Sequence, residues 1–244
     1  MSIQKIPGEF FHVFNRGVEK RDVFLDDEDR YRFIHDLYEF NDKDAVMNIN
    51  YYFDSQRKLI REGGFKKAVK ILQEMQRTKK RKVLVDVICF CLMPNHFHLI
   101  AKPLVENGLP LFMQKLGIGY TRYFNYKYER VGSLFQGTYK AKHLSDDTYF
   151  MHCTGYVHRN PLDLIEPDWK EEGIKDAAKA KKFLFDYKWS SFPDYVGKKN
   201  FPSVTRRDFL LKIFDNNSAA YKKFVLEWTL QDLELLTETK LTLD

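Results

Sequence analysis

The sequence predicts an α+β protein in which an antiparallel sheet carries helices, and three observations lead there. Strand-like and helix-periodic segments follow one another in the order β-α-β-β-α-β-α. Met93-Pro94-Asn95 joins two short apolar runs as a hairpin, and a tight hairpin means antiparallel pairing. The chain has 244 residues, 44% hydrophobic and 16% aromatic, enough apolar material for a sizeable core and too much for a disordered polymer.

The first strand is FFHVFNRG, where Phe11 and Val13 alternate with His12 and Phe14 until Arg16-Gly17 turns the chain. Asp26, Asp27 and Asp29 then precede an apolar stripe of Tyr31, Phe33, Ile34, Leu37 and Tyr38. This spacing predicts a helix over 27–40 with carboxylates at the positive end of its dipole. Residues 48–82 change character, with Lys and Arg in bulk and a helical pattern at Phe65, Val69, Leu72 and Met75. Such a basic helical insertion is either a solvated amphipathic helix or a phosphate-touching element acting through Lys79, Lys80, Arg81 and Lys82; the sequence fits both.

The hairpin at the centre of the sheet follows, with strands over 82–92 and 96–102. A helix over 109–128 shows apolar positions Phe112, Leu116, Tyr120, Tyr123 and Phe124, and 133–140 reads as a further strand. Ser145 is a good N-cap for the next helix, which Pro161 stops. Beyond it the chain turns charged and Ala-rich, then aromatic, and ends with two amphipathic patterns within 204–236. The expectation is a C-terminal helical extension packed on the core.

Several classes are excluded. The longest apolar run, 87–93, falls far short of the ~20 residues that span a bilayer. The N-terminus lacks the apolar stretch of a secretory signal, so the cytoplasm is the expected location. Cys89, Cys91 and Cys153 show no C-x-x-C spacing and read as buried small hydrophobes. With 40 Lys+Arg against 34 Asp+Glu, the net charge of +6 permits phosphate binding without requiring it.

The chemistry-bearing residues fall in two places. On a strand, the two-residue side-chain period aims His96 and His98 at one face and Phe97 and Leu99 at the other. The imidazole pair suits one divalent metal, and it equally suits a satisfied structural role. Tyr149, His152, Tyr156 and Asn160 line one helical stripe; Gly155 and Pro161 loosen its last turn, where Tyr156 and Asn160 can reach a site outside the helix. A tyrosine stripe is also a common core feature.

MPNHFHLI, the upstream FFHVFNRGVEKRDVFLDDEDRYRFI and the downstream GYVHRNPL together resemble the HUH endonuclease class, specifically the single-tyrosine transposases related to REP-associated tyrosine transposases. YKWSSFPDYVG is similar to a segment that follows the core in that group. The resemblance implies a ferredoxin-like antiparallel sheet flanked by helices. It makes 1–161 a catalytic domain interrupted by the insertion at about 48–82, with 162–244 as the extension. His96, His98 and Asn160 would hold Mg²⁺ or Mn²⁺, imidazole and amide ligands making Mn²⁺ a fitting choice, and Tyr156 would be the nucleophile. The implied activity is single-strand cleavage and strand transfer through a 5′-phosphotyrosine, on single-stranded or hairpin DNA and thus at the nucleoid. Relatives include monomers and homodimers, and both stay open.

Around this centre, Arg16, Arg122, Lys140, Lys142 and Arg159 read as phosphate contacts. His158 faces off the stripe and reads as a surface or phosphate-contacting residue, His152 sits one turn early, and His12 is either a core histidine or a neighbour of the metal. Tyr120, Tyr123 and Tyr126 read as core packing, or as base-stacking faces beside Arg122, Lys127 and Arg130. The alternative to an enzyme is a catalytically silent nucleic-acid-binding regulator with the same fold. The presence together of His96, His98 and Tyr156 favours the enzyme.

Overall fold

The computed structural model describes residues 9–44 and 81–227. Within them β1 (Phe10–Arg16), α1 (Asp27–Glu39), β2 (Val85–Met93), β3 (His96–Pro103), α2 (Gly108–Lys127), β4 (Lys140–Leu144) and α3 (Asp147–Arg159) follow in the expected order. The four strands form one sheet in the order β2-β3-β1-β4. All three neighbouring pairs are antiparallel, which is the ferredoxin-like arrangement. The basic insertion at about 48–82 lies outside the described residues but for its last two, 81 and 82.

Each element has a local cause. Asp26 caps α1 by accepting from Asp29 N, while the Asp29 carboxylate reaches back to the cap nitrogen and closes a capping box. The Pro94-Asn95 turn brings Met93 opposite His96 and starts the β2–β3 ladder. Alternation along β3 then sorts its side chains: Phe97, Leu99 and Ala101 join Phe33 and Leu37 of α1 and Phe112, Leu116 and Tyr120 of α2 in one apolar layer. Ile100 goes to the other face, with Phe150, Cys153, Tyr156 and Val157 of α3. The sheet is thus sandwiched between two helical layers.

Two boundaries differ from the sequence expectation. The last strand is Lys140–Leu144, not 133–140; the earlier stretch meets the chain at the end of β1 in an isolated Gly17–Phe135 bridge, beside which Gln136 N donates to Arg16 O, before Gly137, at φ +139°, takes the chain out of register. Lys140–Leu144 lies at the sheet edge with mostly exposed side chains, so it lacks the apolar alternation that marks a strand. The cap of α3 is Asp146, whose carboxylate accepts from Tyr149 N at 2.8 Å, while Ser145 Oγ donates to that same carboxylate.

The described residues after 161 add five short helices on the α3 side of the sheet. α4 (Trp169–Glu172), α5 (Ala177–Asp186), α6 (Phe192–Tyr195), α7 (Arg207–Ile213) and α8 (Ser218–Leu226) bury Trp169, Leu184, Tyr195, Leu210 and Tyr221 in the α3 layer. Trp189-Ser190-Ser191 of the aromatic motif runs along the outer edge of β2: Leu92 N donates to Trp189 O at 2.9 Å and Ser191 N to Phe90 O at 3.0 Å. A free strand edge is thereby closed. Cys89, Cys91 and Cys153 are buried free thiols, as expected. Among the described residues no helix is long and apolar enough to cross a membrane.

Two residues expected at the surface are interior ones. Arg159, expected to touch DNA, is fully buried; its guanidinium donates to the backbone oxygens of Phe224, Val225 and Glu227 at the end of α8. Carbonyls at a helix C-terminus carry partial negative charge, so they satisfy a cation without a carboxylate. His158 is also fully buried, with Nδ1 2.6 Å from Tyr221 Oη and Nε2 2.7 Å from Ser191 Oγ. Arg159→Ala should therefore cost on the order of 3 kcal/mol, the worth of charge-assisted bonds to otherwise orphaned carbonyls. Urea unfolding measures this, and a loss below about 0.5 kcal/mol would contradict the anchoring.

Candidate active site

β1 and β3 are the two central strands, and the mid-strand side chains His12, Phe14, His98 and Ile100 on their α3 face are buried, while Arg16 and His96 at the strand ends are partly exposed. His98 lies opposite Phe14 and His12 opposite Ile100, which makes the two histidines a diagonal cross-strand pair. His12 Nε2 and His98 Nδ1 are 2.8 Å apart, and both residues are fully buried. His96 opens β3, its ring centroid 5.0 Å from that of His98.

α3 crosses this face and delivers Tyr156, whose ring centroid lies 5.6 Å from His98 and 6.1 Å from His12, edge-on to both. Asn160, just past the helix end, donates from Nδ2 to Tyr156 O at 3.0 Å and shares a side-chain hydrogen bond with His96. The sheet imidazoles and the helical phenol and carboxamide therefore meet at one place. Tyr149 of the same stripe is core, and His152 turns instead toward Phe224 of α8.

One cation here went unread in the sequence. Lys170 of α4 lies with Nζ 5.7 Å above the Tyr156 ring, held at 3.0 Å by Asp163, and its charge is felt by both His96 and His98. No local pattern marks it, because the contact joins an extension helix to α3. The His12–His98 contact is equally non-local; only the register of β1 on β3 creates it.

Electrostatically the site is a set of neutral rings. Desolvation pushes the pKa of His12 and of His96 down to about 3, and that of His98 well below its ordinary value, with neighbouring positive charge acting in the same sense. Neutral imidazole is the metal-binding form. Asn95 Nδ2 donates to Lys20 O, so its Oδ1 faces His96 and accepts from Nδ1–H at 2.6 Å, leaving His96 Nε2 as the lone-pair nitrogen. His98 Nε2 is buried with no hydrogen-bond partner. Among the described residues no group of three His, Cys, Asp or Glu side chains is arranged to hold a metal, so a cation would rest on two imidazoles and a carboxamide. The unpartnered buried His98 Nε2, beside the mutually bonded His96 ring and Asn160 carboxamide, fits such an ion.

The remaining basic residues divide by face. Arg16 pairs with His96 in register, Lys140 with Phe14 and Lys142 with His12, so all three project on the site's side of the sheet. Arg122 is on α2, across the sheet, at a groove of about 450 Å³ lined also by Phe97, Met113 and Phe135. Of the cation–aromatic group expected to stack bases, Tyr120 is buried with Oη donating to Val23 O, and Lys127 is committed to Asp26, Glu28 and Asp29. Tyr126 alone of the three tyrosines is fully in solvent, at 89% exposure.

Residues 51–160 match the family model described as IS200-like transposase. The matched stretch includes both MPNHFHLI and the helix ending in Tyr156 and Asn160, so the resemblance read from those motifs is supported over that length. No curated protein matches the sequence. One similar solved structure is that of a REP-associated tyrosine transposase bound to a REP hairpin, with 12% identity over 83% of this chain and 87% of that chain and a TM-score of 0.39.

The buried rings predict a pH dependence of stability. His12 and His158 have folded pKa values near 3 against 6.5 when exposed, so the unfolded chain binds more protons between those limits. Their contribution is complete above about pH 6.5 and falls toward pH 3, each ring adding up to about 1.4 kcal/mol per pH unit. Urea midpoints of the metal-free protein should drop steeply from pH 6.5 to 4.5. A flat profile there would mean the rings are hydrated.

Proposed function

We propose that the protein is a metal-dependent single-strand DNA endonuclease and strand transferase of the transposase kind, with Tyr156 as nucleophile and hairpin or palindromic DNA as substrate. The observation that carries the reading is the approach of the Tyr156 ring to within 5.6 Å of the His98 ring, beside His96 and Asn160. All four side chains belong to one chain, so the reading needs no second copy.

A phenol has an ordinary pKa near ~10 and attacks a phosphodiester slowly unless the electrophile is activated. A divalent cation, Mg²⁺ or Mn²⁺, held by His96, His98 and Asn160 would withdraw charge from the scissile phosphate. Tyr156 Oη then bonds to phosphorus while the P–O3′ bond breaks; the phenol proton leaves to solvent and the departing 3′ oxygen takes one up. The result is a 5′-phosphotyrosine and a free 3′-hydroxyl. Because the phosphodiester bond is exchanged and not hydrolysed, a 3′-hydroxyl from another strand can reverse the step and join DNA without ATP.

The chain's own cations support the binding half of this reading. Arg16, Lys140 and Lys142 share the site's face of the sheet, and Lys170 stands over the phenol ring where a non-bridging phosphate oxygen would gain from its charge. Such contacts give affinity without sequence preference.

A labelled hairpin oligonucleotide incubated with protein and Mn²⁺ should yield an adduct that survives denaturing electrophoresis. Tyr156→Phe should lower adduct formation by at least about 10³-fold and leave hairpin affinity within about threefold, since only a hydroxyl is lost. His96→Ala and His98→Ala should also abolish the adduct. Adduct persisting in Tyr156→Phe would move the role to another tyrosine, and binding without cleavage under every metal would favour the silent regulator. Separately, Lys140→Ala should weaken binding to all sequences alike and reduce the slope of log affinity against log salt by about 1; an unchanged slope would remove Lys140 from the interface.

A further inference from the structure

His12 is a fully buried titratable group that the chemistry above leaves unused. It lies on a central strand, its ring nearly parallel to that of His98 at 14° with centroids 5.0 Å apart, and Nε2 is 2.8 Å from His98 Nδ1. Two ring nitrogens at that distance share one proton-bearing partner, and both rings are kept neutral by burial. Only two arrangements exist. Either His98 Nδ1–H donates to His12 Nε2 and leaves His98 Nε2 a bare lone pair, or His12 Nε2–H donates to His98 Nδ1 and His98 Nε2 carries a proton.

The outer nitrogens of the pair, His12 Nδ1 and His98 Nε2, have no hydrogen-bond partner. A leucine or phenylalanine at position 12 would fill the same space without burying an unpartnered nitrogen. The neighbouring ring shows what such an arrangement accomplishes: Asn95 accepts from His96 Nδ1–H and thereby makes Nε2 the nitrogen that carries the lone pair, turned to Asn160. His12 stands to His98 as Asn95 stands to His96.

We propose that His12 is a positioning residue that accepts a hydrogen bond from His98 Nδ1–H, fixing His98 in the tautomer and ring orientation in which Nε2 is free to ligate a divalent cation. The inference rests on the proposed metal-binding reading of His96 and His98. A partner of this kind orients a ligating imidazole and raises its basicity, and its loss typically costs ten- to a hundredfold in metal affinity.

The test uses Mn²⁺ binding followed by electron paramagnetic resonance of the free ion, on the whole chain without DNA. His12→Leu should weaken binding ten- to a hundredfold while leaving the thermal midpoint of the metal-free protein at or above that of the unsubstituted protein. His12→Gln, whose carboxamide oxygen reaches about as far as Nε2, should restore affinity to within about threefold, which a purely space-filling role does not predict. Nitrogen-15 NMR of the unsubstituted, metal-free protein provides a reading independent of folding in any variant: His98 should carry its proton on Nδ1, with Nε2 unprotonated. Equal Mn²⁺ affinity in His12→Leu, or a proton on His98 Nε2, would overturn the proposal. His98→Ala separates the two levels: if it binds Mn²⁺ as tightly as the unsubstituted protein, the metal site itself is misassigned, whereas loss in His98→Ala without loss in His12→Leu removes only the role of His12.

Discussion

An imidazole taken out of water is costly unless its ring nitrogens find partners, and that constraint organises the layer between the sheet and α3. Four histidines meet it there by different means. His158 satisfies both nitrogens with hydroxyls, from Ser191 and Tyr221. His96 takes Asn95 on one side and is linked to Asn160. His12 and His98 satisfy one nitrogen each by facing one another, and each keeps one without a partner. Among these four rings, then, the one at the end that only supports α3 is fully paired, and the two beside the phenol are not. Two buried ring nitrogens without partners, side by side where sheet and helix groups converge, are what separate this place from ordinary polar packing.

The helix that closes this layer is fixed at both ends. Asp146 caps its start, and near its end Arg159 is held by the final carbonyls of α8. Gly155 belongs to the same device: a Cβ there would lie 3.0 Å from an Arg159 guanidinium nitrogen, so its small size lets the arginine fold back along the helix. Held in this way, α3 has little freedom to rotate, and the direction of Tyr156 is set by packing and not by its own contacts alone. Under the proposed function this fixed direction would hold the phenol in place against the imidazoles, the kind of orientation that lowers the entropic cost of a reaction.

Local periodicity carried much of this in the sequence. The alternation along β3 put His96 and His98 on one face, and a four-residue step put Tyr156 and Asn160 on one stripe; both relations are properties of a single element and survive any tertiary arrangement. What stayed hidden was relational. Arg159 and His158 read as surface groups because their partners lie 33 to 68 positions away, some of them backbone carbonyls that leave no trace in the residue types. The last strand was misread because its side chains face water at a sheet edge, while the apolar Leu134 and Phe135 before it serve the core without pairing as a strand. Lys170 was invisible for a third reason: a lysine among charged neighbours gains meaning only from what lies beneath it.

The change of composition near residue 161 suggests a seam in the chain, yet the bonds around Tyr156 and the end of its helix cross it repeatedly. His158 depends on residues 191 and 221, Arg159 on 224 to 227, and the phenol's cationic neighbour is residue 170. During synthesis, then, a nascent polypeptide that has emerged only as far as Arg159 holds Tyr156 on an unsupported helix with two hydrogen-bonding side chains still waiting for partners. The surroundings of Tyr156 are completed only when residue 227 has left the ribosome, so the fixed placement of that phenol waits on a long stretch of polypeptide made after it.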